Sequence, residues 1–272
     1  MINKLIQENL EKNIPEKDVA ILLSGGVDSL SVAFACQNIG KNITAYSFKI
    51  KDVDNYDFNM AKEVSKIFNW PFISYEIDKE NLKTDFFKLK ELGCYKKTHY
   101  ECMYPFLHLI PKIEQKYIAT GWAADGYYGV SKRCMIHFRH TKELFDKFRD
   151  DYFLPHKTAG FFLLEKLINN NDKKLVAPYL SNEIKEFFYN KDWFELNYPY
   201  QKHHVRKGFD QFKNIPKVKK HINLQLGSKV NVLFETLLND SEINFKKRSR
   251  IMDICRDWYT LNNTSTLERF MA

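Results

Sequence analysis

The chain has 272 residues and carries 42 Lys and Arg against 34 Asp and Glu, a formal charge of +8. A 44% hydrophobic and 15% aromatic composition with only 10 Gly and 8 Pro supplies a core and excludes collagen-like, low-complexity and disordered chains. No run of about 18 apolar residues occurs, so no membrane-spanning helix is expected. The opening MINKLIQENLEKNIPEK is charged throughout and reads as an amphipathic helix rather than a secretory signal. The expectation is a soluble cytoplasmic protein. Its five scattered cysteines (Cys36, Cys94, Cys102, Cys134, Cys255) suit free thiols in a reducing compartment.

The first half alternates between strand and helix signals. Asp18–Leu23 is a short buried-strand run, and an apolar-faced helix follows over Ser29–Ile39. Ile43–Phe48 is a second strand, and Asp57–Phe68 a helix with apolar residues at Met60, Ala61, Val64 and Ile67–Phe68. Pro71–Ile77 is a third strand. A helical stretch around Tyr100–Glu114 leads to a fourth at Tyr117–Thr120. Such alternation predicts a parallel α/β sheet whose ligands sit at the carboxyl ends of the strands. From Thr141 on, helices are expected at Thr141–Asp150, Thr158–Asn170, Ser181–Tyr189 and Arg250–Leu261, with no clear strands between them. The expected organisation is an α/β core over residues 1–135 and a tightly packed helical subdomain over 136–272.

The most informative segment is Ser24-Gly25-Gly26-Val27-Asp28-Ser29, between the first strand and the first internal helix. Paired glycines let backbone N–H groups turn toward an anion, and the following helix points its positive end at the same place. The serines add hydroxyl donors, and Asp28 can hold a divalent cation against phosphate oxygens. Neither a Walker A loop nor GxGxxG is present. The segment resembles the pyrophosphatase loop of the N-type ATP pyrophosphatases (the PP-loop superfamily). That resemblance implies ATP cleaved between its α and β phosphates, an adenylated substrate and a PP-loop α/β fold.

Later segments resemble the synthetase domain of the asparagine synthetases. Thr120-Gly121-Trp122-Ala123-Ala124-Asp125-Gly126-Tyr127-Tyr128-Gly129 is similar to that family's "SGEGADELFGG" signature. The resemblance makes Asp125 a partner of Asp28 in holding Mg²⁺; a turn-capping aspartate is the plainer reading. Leu175–Ser181 with Ile184–Phe188 is similar to "R.PFLD..LVEF", and Lys202-His203-His204-Val205-Arg206 to "K..LR". Lys202 then becomes the catalytic cation facing the departing pyrophosphate, with Arg206 a structural ion-pair partner. Contacts to ATP fall by this match to Leu22, Ser24, Gly25, Gly26, Asp28, Ser29, Phe48 and Gly121. The resemblance covers roughly residues 15–210.

The sequence departs from the family where two signature glutamates become Trp122 and Gly126. Those glutamates belong to the amino-acid and ammonia side of the site. Their replacement points to a flat or aromatic small-molecule acceptor stacking on Trp122, Tyr127 or Tyr128. Position 2 is Ile2 rather than a nucleophilic cysteine, and few residues precede the loop. Nitrogen is therefore expected as free ammonia, from a separate glutaminase subunit, or as an amine. The leading expectation is an AMP-forming ligase making an amide. Two alternatives stand beside it: modification of a nucleobase in nucleic acid or a free deazapurine precursor, weakly supported by basic runs at Lys213–Lys220 and Lys246–Arg250, and a non-catalytic ATP-binding module. His203 and His204 invite a general-base role, with Lys202 as the neighbour that would depress their pKa values, but exposed helix histidines are the plainer reading and both stay outside the assigned site.

Overall fold

The computed structural model describes residues 1–154, 160–216, 218 and 223–235. Five strands, β1 (Asp18–Leu22), β2 (Asn42–Ile50), β3 (Phe72–Ile77), β4 (Tyr117–Ala119) and β5 (Lys174–Val176), form one sheet in the order β3-β2-β1-β4-β5. Every pairing is parallel. The helices are α1 (Ile2–Asn13), α2 (Val27–Asn38), α3 (Tyr56–Ile67), α4 (Leu82–Leu92), α5 (Lys97–Leu109), α6 (Ala124–Tyr128) and α7 (Lys132–His137). They continue as α8 (Lys142–Tyr152), α9 (Phe161–Asn169), α10 (Asn182–Tyr189), α11 (Trp193–Asn197), α12 (His203–Gly208), α13 (Leu224–Gly227) and α14 (Val230–Glu235). None is long and apolar enough to cross a membrane.

β1 shows why the sheet is parallel and covered. After exposed Asp18, four consecutive residues are buried, the pattern of a strand with packing on both faces. Successive side chains then alternate between two cores. Val19, Ile21 and Leu23 join the cluster that holds α1, α2 and α3, whereas Ala20 and Leu22 join the one that holds α4, α5 and α9.

The sheet order reverses direction at β1, with β2 on one side and β4 on the other. In an open α/β sheet that reversal opens a crevice at the carboxyl ends of the two central strands. The loops that follow β1 and β4 meet there, and they contain the two sequence motifs.

The second half contains a strand that the sequence did not disclose. Lys174–Val176 pairs with Tyr117–Ala119 and extends the sheet, correcting the expectation of helices alone beyond Thr141. Three residues are too few to display a period of two, so the signal was not there to read. α4 was likewise missed, although Leu82, Phe86 and Leu89 recur at helical spacing and are buried. The predicted helix at Arg250–Leu261, the Lys246–Arg250 run and Cys255 lie outside the described residues, as does part of the Lys213–Lys220 run. The cluster around α1 and α2 draws on residues from Ile2 to Val218, on both sides of the boundary expected near residue 135.

One buried bond joins the β5 side of the molecule to the β1 loop. Ser31 Oγ donates its single proton to the Asp28 carbonyl at 2.7 Å, so Tyr179 OH donates to Ser31 Oγ at 2.8 Å. Tyr179 is fully buried just after β5. Tyr179→Phe is expected to lower the unfolding free energy by about 1 kcal/mol in urea titrations, because Ser31 keeps its own acceptor and only one bond is lost. A loss of that size with unchanged secondary structure is the predicted result; an unchanged midpoint would show that the bond holds nothing.

Candidate active site

The β1 loop is shaped by two close approaches. Gly25 has φ +70°, and a Cβ there would lie 2.6 Å from Met60 Cγ and 2.9 Å from the Ala61 backbone nitrogen. Only glycine fits both the left-handed turn and the space left by α3. Gly26 caps the twelve-residue α2, whose first N–H groups have no partner within the helix and face the crevice. The hydroxyls are already oriented: Ser29 Oγ donates to the Gly26 carbonyl at 3.1 Å, and Ser24 Oγ lies 3.1 Å from Ser29 Oγ. Gly26 N–H donates to Ser24 Oγ at 3.3 Å. Such a loop is a ready cradle for phosphate oxygens.

The β4 loop lies directly on it. A Cβ on Gly121 would stand 2.4 Å from the Asp28 carbonyl carbon and 2.7 Å from Ser29 N. Gly121 therefore allows the two loops to touch. The next turn passes through Ala123 at φ +75°, an uncommon conformation for alanine, and starts the single turn of α6 with Asp125 in it.

A helix this short leaves its last carbonyls unpaired. Three side chains from the second half cap them. Arg149 Nε donates to the Tyr127 carbonyl (3.3 Å), Asn197 Nδ2 to that of Tyr128 (2.8 Å), and Trp193 Nε1 to that of Gly129 (3.0 Å). Arg149 is itself fully buried, over the Phe145 ring at 3.6 Å and paired with Asp146 at 3.0 Å.

Asn197 does a second job. Its Oδ1 accepts the backbone N–H of Lys202 at 3.0 Å, holding that residue at φ +58°, a strained conformation that persists only when its surroundings impose it. Lys202 is 4% exposed, and its Nζ donates to Asp28 Oδ2 and Asp125 Oδ1, both at 2.5 Å. The Tyr128 ring lies 5.8 Å from the same ammonium. Residues from three distant parts of the chain thus converge on one cation.

The electrostatics follow from burial. Burial raises the Asp28 pKa, Lys202 opposes the rise, and Asp125 adds to it, leaving the carboxyl well above its usual range. For Lys202, burial favours the neutral amine, but Asp125 and Asp28 outweigh it and keep the ammonium charged. Asp28 Oδ1 is buried and has no hydrogen-bond partner, so one acceptor remains for a ligand. Among the described residues no group of three or more His, Cys, Asp and Glu side chains could hold a metal ion. A cation bound at Asp28 and Asp125 would therefore complete its shell with phosphate oxygens and water.

The remaining expected site residues fall in several places. Leu22 is buried in β1, and Phe48 packs edge-on to Phe106 at 6.0 Å. Trp122 is half-buried against the same Phe106, also at 6.0 Å. Tyr127 does not face an acceptor: it is 2% exposed and stacks on Phe153 at 4.1 Å and on Phe188 at 4.8 Å. Tyr128 is fully buried beneath Lys202, so both tyrosines are corrected from acceptor-stacking to supporting positions. A five-residue helix shows too little of its period for its buried side to be read from sequence.

Tyr152 was not singled out. A Cβ on Gly126 would lie 2.2 Å from its Cδ1 and Cε1, so its ring fills the volume of a side chain at position 126. The pKa values of His203 and His204 are depressed first by burial and then by Lys207 and Lys191 respectively; Lys202 is not the cause. Arg206 has no carboxylate partner among the described residues, which corrects its assignment as half of an ion pair. Asn197, Arg149 and Trp193 carried no local signal that would have found them.

Gly121→Ala forces a methyl group into the Asp28 backbone. It is expected to lower nucleotide affinity by at least about tenfold in calorimetric titrations, with a smaller loss of thermal stability. Affinity equal to wild type would show that the two loops need not touch.

A search of curated proteins finds no match to this chain. Among solved structures, it is similar to a predicted subunit of tRNA methyltransferase from Methanocaldococcus jannaschii, with 14% identity over 74% of this chain and 93% of that one, TM-score 0.37. It is also similar to the U34-tRNA thiolase NcsA from Methanococcus maripaludis, with 14% identity, 88% and 72% covered, TM-score 0.37. NMN synthetase from Francisella tularensis gives 17% identity, 82% and 99% covered, TM-score 0.36. The asparagine synthase family model matches residues 5–207. That span takes in all five strands, both loops and Lys202, and on it this chain belongs to the asparagine synthase family, ATP-using enzymes of the PP-loop fold.

Proposed function

We propose that this protein is an AMP-forming ligase: it adenylates a carboxylate, or an amide-like oxygen, and passes the activated group to ammonia or an amine. The observation that carries the reading is the buried Lys202 ammonium shared by Asp28 and Asp125 directly beside the Ser24–Ser29 loop. In the first step an acceptor oxygen attacks the α-phosphorus of ATP, and the bond to the bridging oxygen breaks. Pyrophosphate leaves with the electron pair. In the second step the amine nitrogen attacks the acyl carbon and loses a proton while AMP departs.

The chain's own groups suit these steps. The first N–H groups of α2 and the Ser24 and Ser29 hydroxyls bind and orient phosphate oxygens. Lys202 places a positive charge where negative charge develops on the leaving group, a device worth several kcal/mol in a water-poor site. Asp28 and Asp125 would hold Mg²⁺, and the unpartnered Asp28 Oδ1 fits that role; when bound, the ion neutralises phosphate charge.

The acceptor side differs in character. Trp122 stands in one signature position and the Tyr152 ring occupies the space of the other, at Gly126. Neither position offers a carboxylate to an α-ammonium group. The acceptor is therefore proposed to be a flat small molecule lacking that group, and the nitrogen to arrive as ammonia, from a separate glutaminase, or as an amine.

The test follows pyrophosphate release with ATP, Mg²⁺ and pools of candidate carboxylate and heteroaromatic acceptors. Acceptor-dependent release is expected. Lys202→Ala should slow it by about a hundredfold or more, as removal of a charge-stabilising group does. Asp28→Asn and chelation of Mg²⁺ should abolish it. Binding of ATP with no release under any acceptor would replace the ligase reading with a nucleotide-binding module. Aspartate and ammonia turned over at the rate of an asparagine synthetase would sink the proposed acceptor class.

A further inference from the structure

Arg206 lies one turn beyond Lys202, and its backbone N–H donates to the Lys202 carbonyl at 3.2 Å. Lys202 caps the helix on which Arg206 sits in the first turn. Among the described residues Arg206 has no ion-pair partner, and its Nε is buried without a hydrogen bond. Its guanidinium instead rests near the rings of Tyr200 (5.7 Å) and Phe212 (6.0 Å). An arginine cannot give up its proton at neutral pH, and a guanidinium drawn out of water without an anion is costly. Arg206 is half-buried, and its Nε proton is a buried donor left for an anion.

Its position says which anion. α12 packs on α2, the helix that begins in the Ser24–Ser29 loop, and Phe212 beneath Arg206 packs edge-on to Phe34 of α2 at 5.1 Å. Arg206 also feels the charges of Asp28 and of Tyr56, the first residue of α3. The same helix presses Met60 and Ala61 against Gly25, so Arg206 belongs to the Gly25 side of the loop. In the strand order, α3 follows β2 and stands on one side of β1, while the β4 loop with Trp122 stands on the other. With a triphosphate on the Ser24–Ser29 loop, an acceptor entering past Trp122 would stand on the β4 side of that loop, and Arg206 would face the phosphates from the α3 side. Lys202 is already engaged by two carboxylates. Arg206 is engaged by none, and its planar fork matches two phosphate oxygens at once.

We propose that Arg206 binds the terminal phosphates of the nucleoside triphosphate and holds the pyrophosphate as it leaves. The assignment rests on the reading of Ser24–Ser29 as a triphosphate loop. It separates the site into an arginine end that selects polyphosphates and an end, at the β4 loop, that receives the acceptor.

Calorimetric titration of wild type, Arg206→Lys and Arg206→Gln with ATP, sodium pyrophosphate and AMP, each with Mg²⁺, tests it. Arg206→Gln is expected to weaken ATP and pyrophosphate by about tenfold or more, the usual cost of a lost charge-assisted pair, and to leave AMP unchanged. Arg206→Lys keeps the charge without the fork and should fall between, which serves if the glutamine variant does not fold. Thermal melts establish folding. Equal weakening of all three ligands, or no weakening, overturns the arginine assignment while wild-type ATP binding keeps the loop reading intact. Wild-type protein that binds neither ATP nor pyrophosphate overturns both.

Discussion

A single ammonium group, Lys202 Nζ, lies 2.5 Å from two carboxylates and out of reach of water. Taking the Lys202 ammonium and most of Asp28 out of water is expensive, whereas Asp125 keeps a partly exposed carboxylate at the edge of the cluster. The fold must therefore supply the geometry that makes the cluster tolerable. It does so by bringing the loop after β1, the turn after β4 and the start of α12 to one point. The two carboxylates reach that point because β1 and β4 are neighbours where the sheet reverses its order. The lysine arrives because α12 packs on α1 and α2, the same helices that cover β1.

Backbone carbonyls as well as charges tie this point together. α6 is too short to satisfy its own ends, and Arg149, Asn197 and Trp193 each take one of its final carbonyls. Asn197 also fixes the strained backbone of Lys202. One amide thus sets the separation between Asp125 and the cation that binds it. A carboxylate on a frayed turn would wander by more than the tolerance of phosphoryl chemistry, for which misplacement by about 1 Å is already damaging.

These features explain what the sequence could and could not disclose. The β1 loop was legible because its chemistry is local: strand, paired glycines, aspartate, serine and helix follow one another within a dozen residues. The second loop was legible as far as Asp125, for the same reason. Capping of α6 was not, because Asn197 and Trp193 act across 69 and 64 residues and asparagine or tryptophan in a helix has many uses. β5 escaped because three residues show no period. Tyr127 and Tyr128 were misplaced because aromatic residues beside the replaced signature glutamates look like a stacking platform, whereas packing decides which rings face solvent.

The site also divides into two halves that differ in how far they follow the family's pattern. On the nucleotide side the glycine loop, both aspartates and the lysine remain in their expected positions. On the acceptor side Trp122 takes the place of one carboxylate, and at the other Gly126 leaves room that Tyr152 fills from α8. The second exchange is compensated in volume: a ring from a neighbouring helix occupies what a side chain on the loop would have occupied. A chain that had merely lost its chemistry would have no physical reason to keep a buried, charge-dense cluster, because apolar replacements of similar size are often more stable. The cluster remains although it is costly, while the surroundings of the acceptor are repacked with aromatic groups. That combination is what the proposed ligase requires: a nucleotide half built on the family's pattern and an acceptor half shaped for a different molecule.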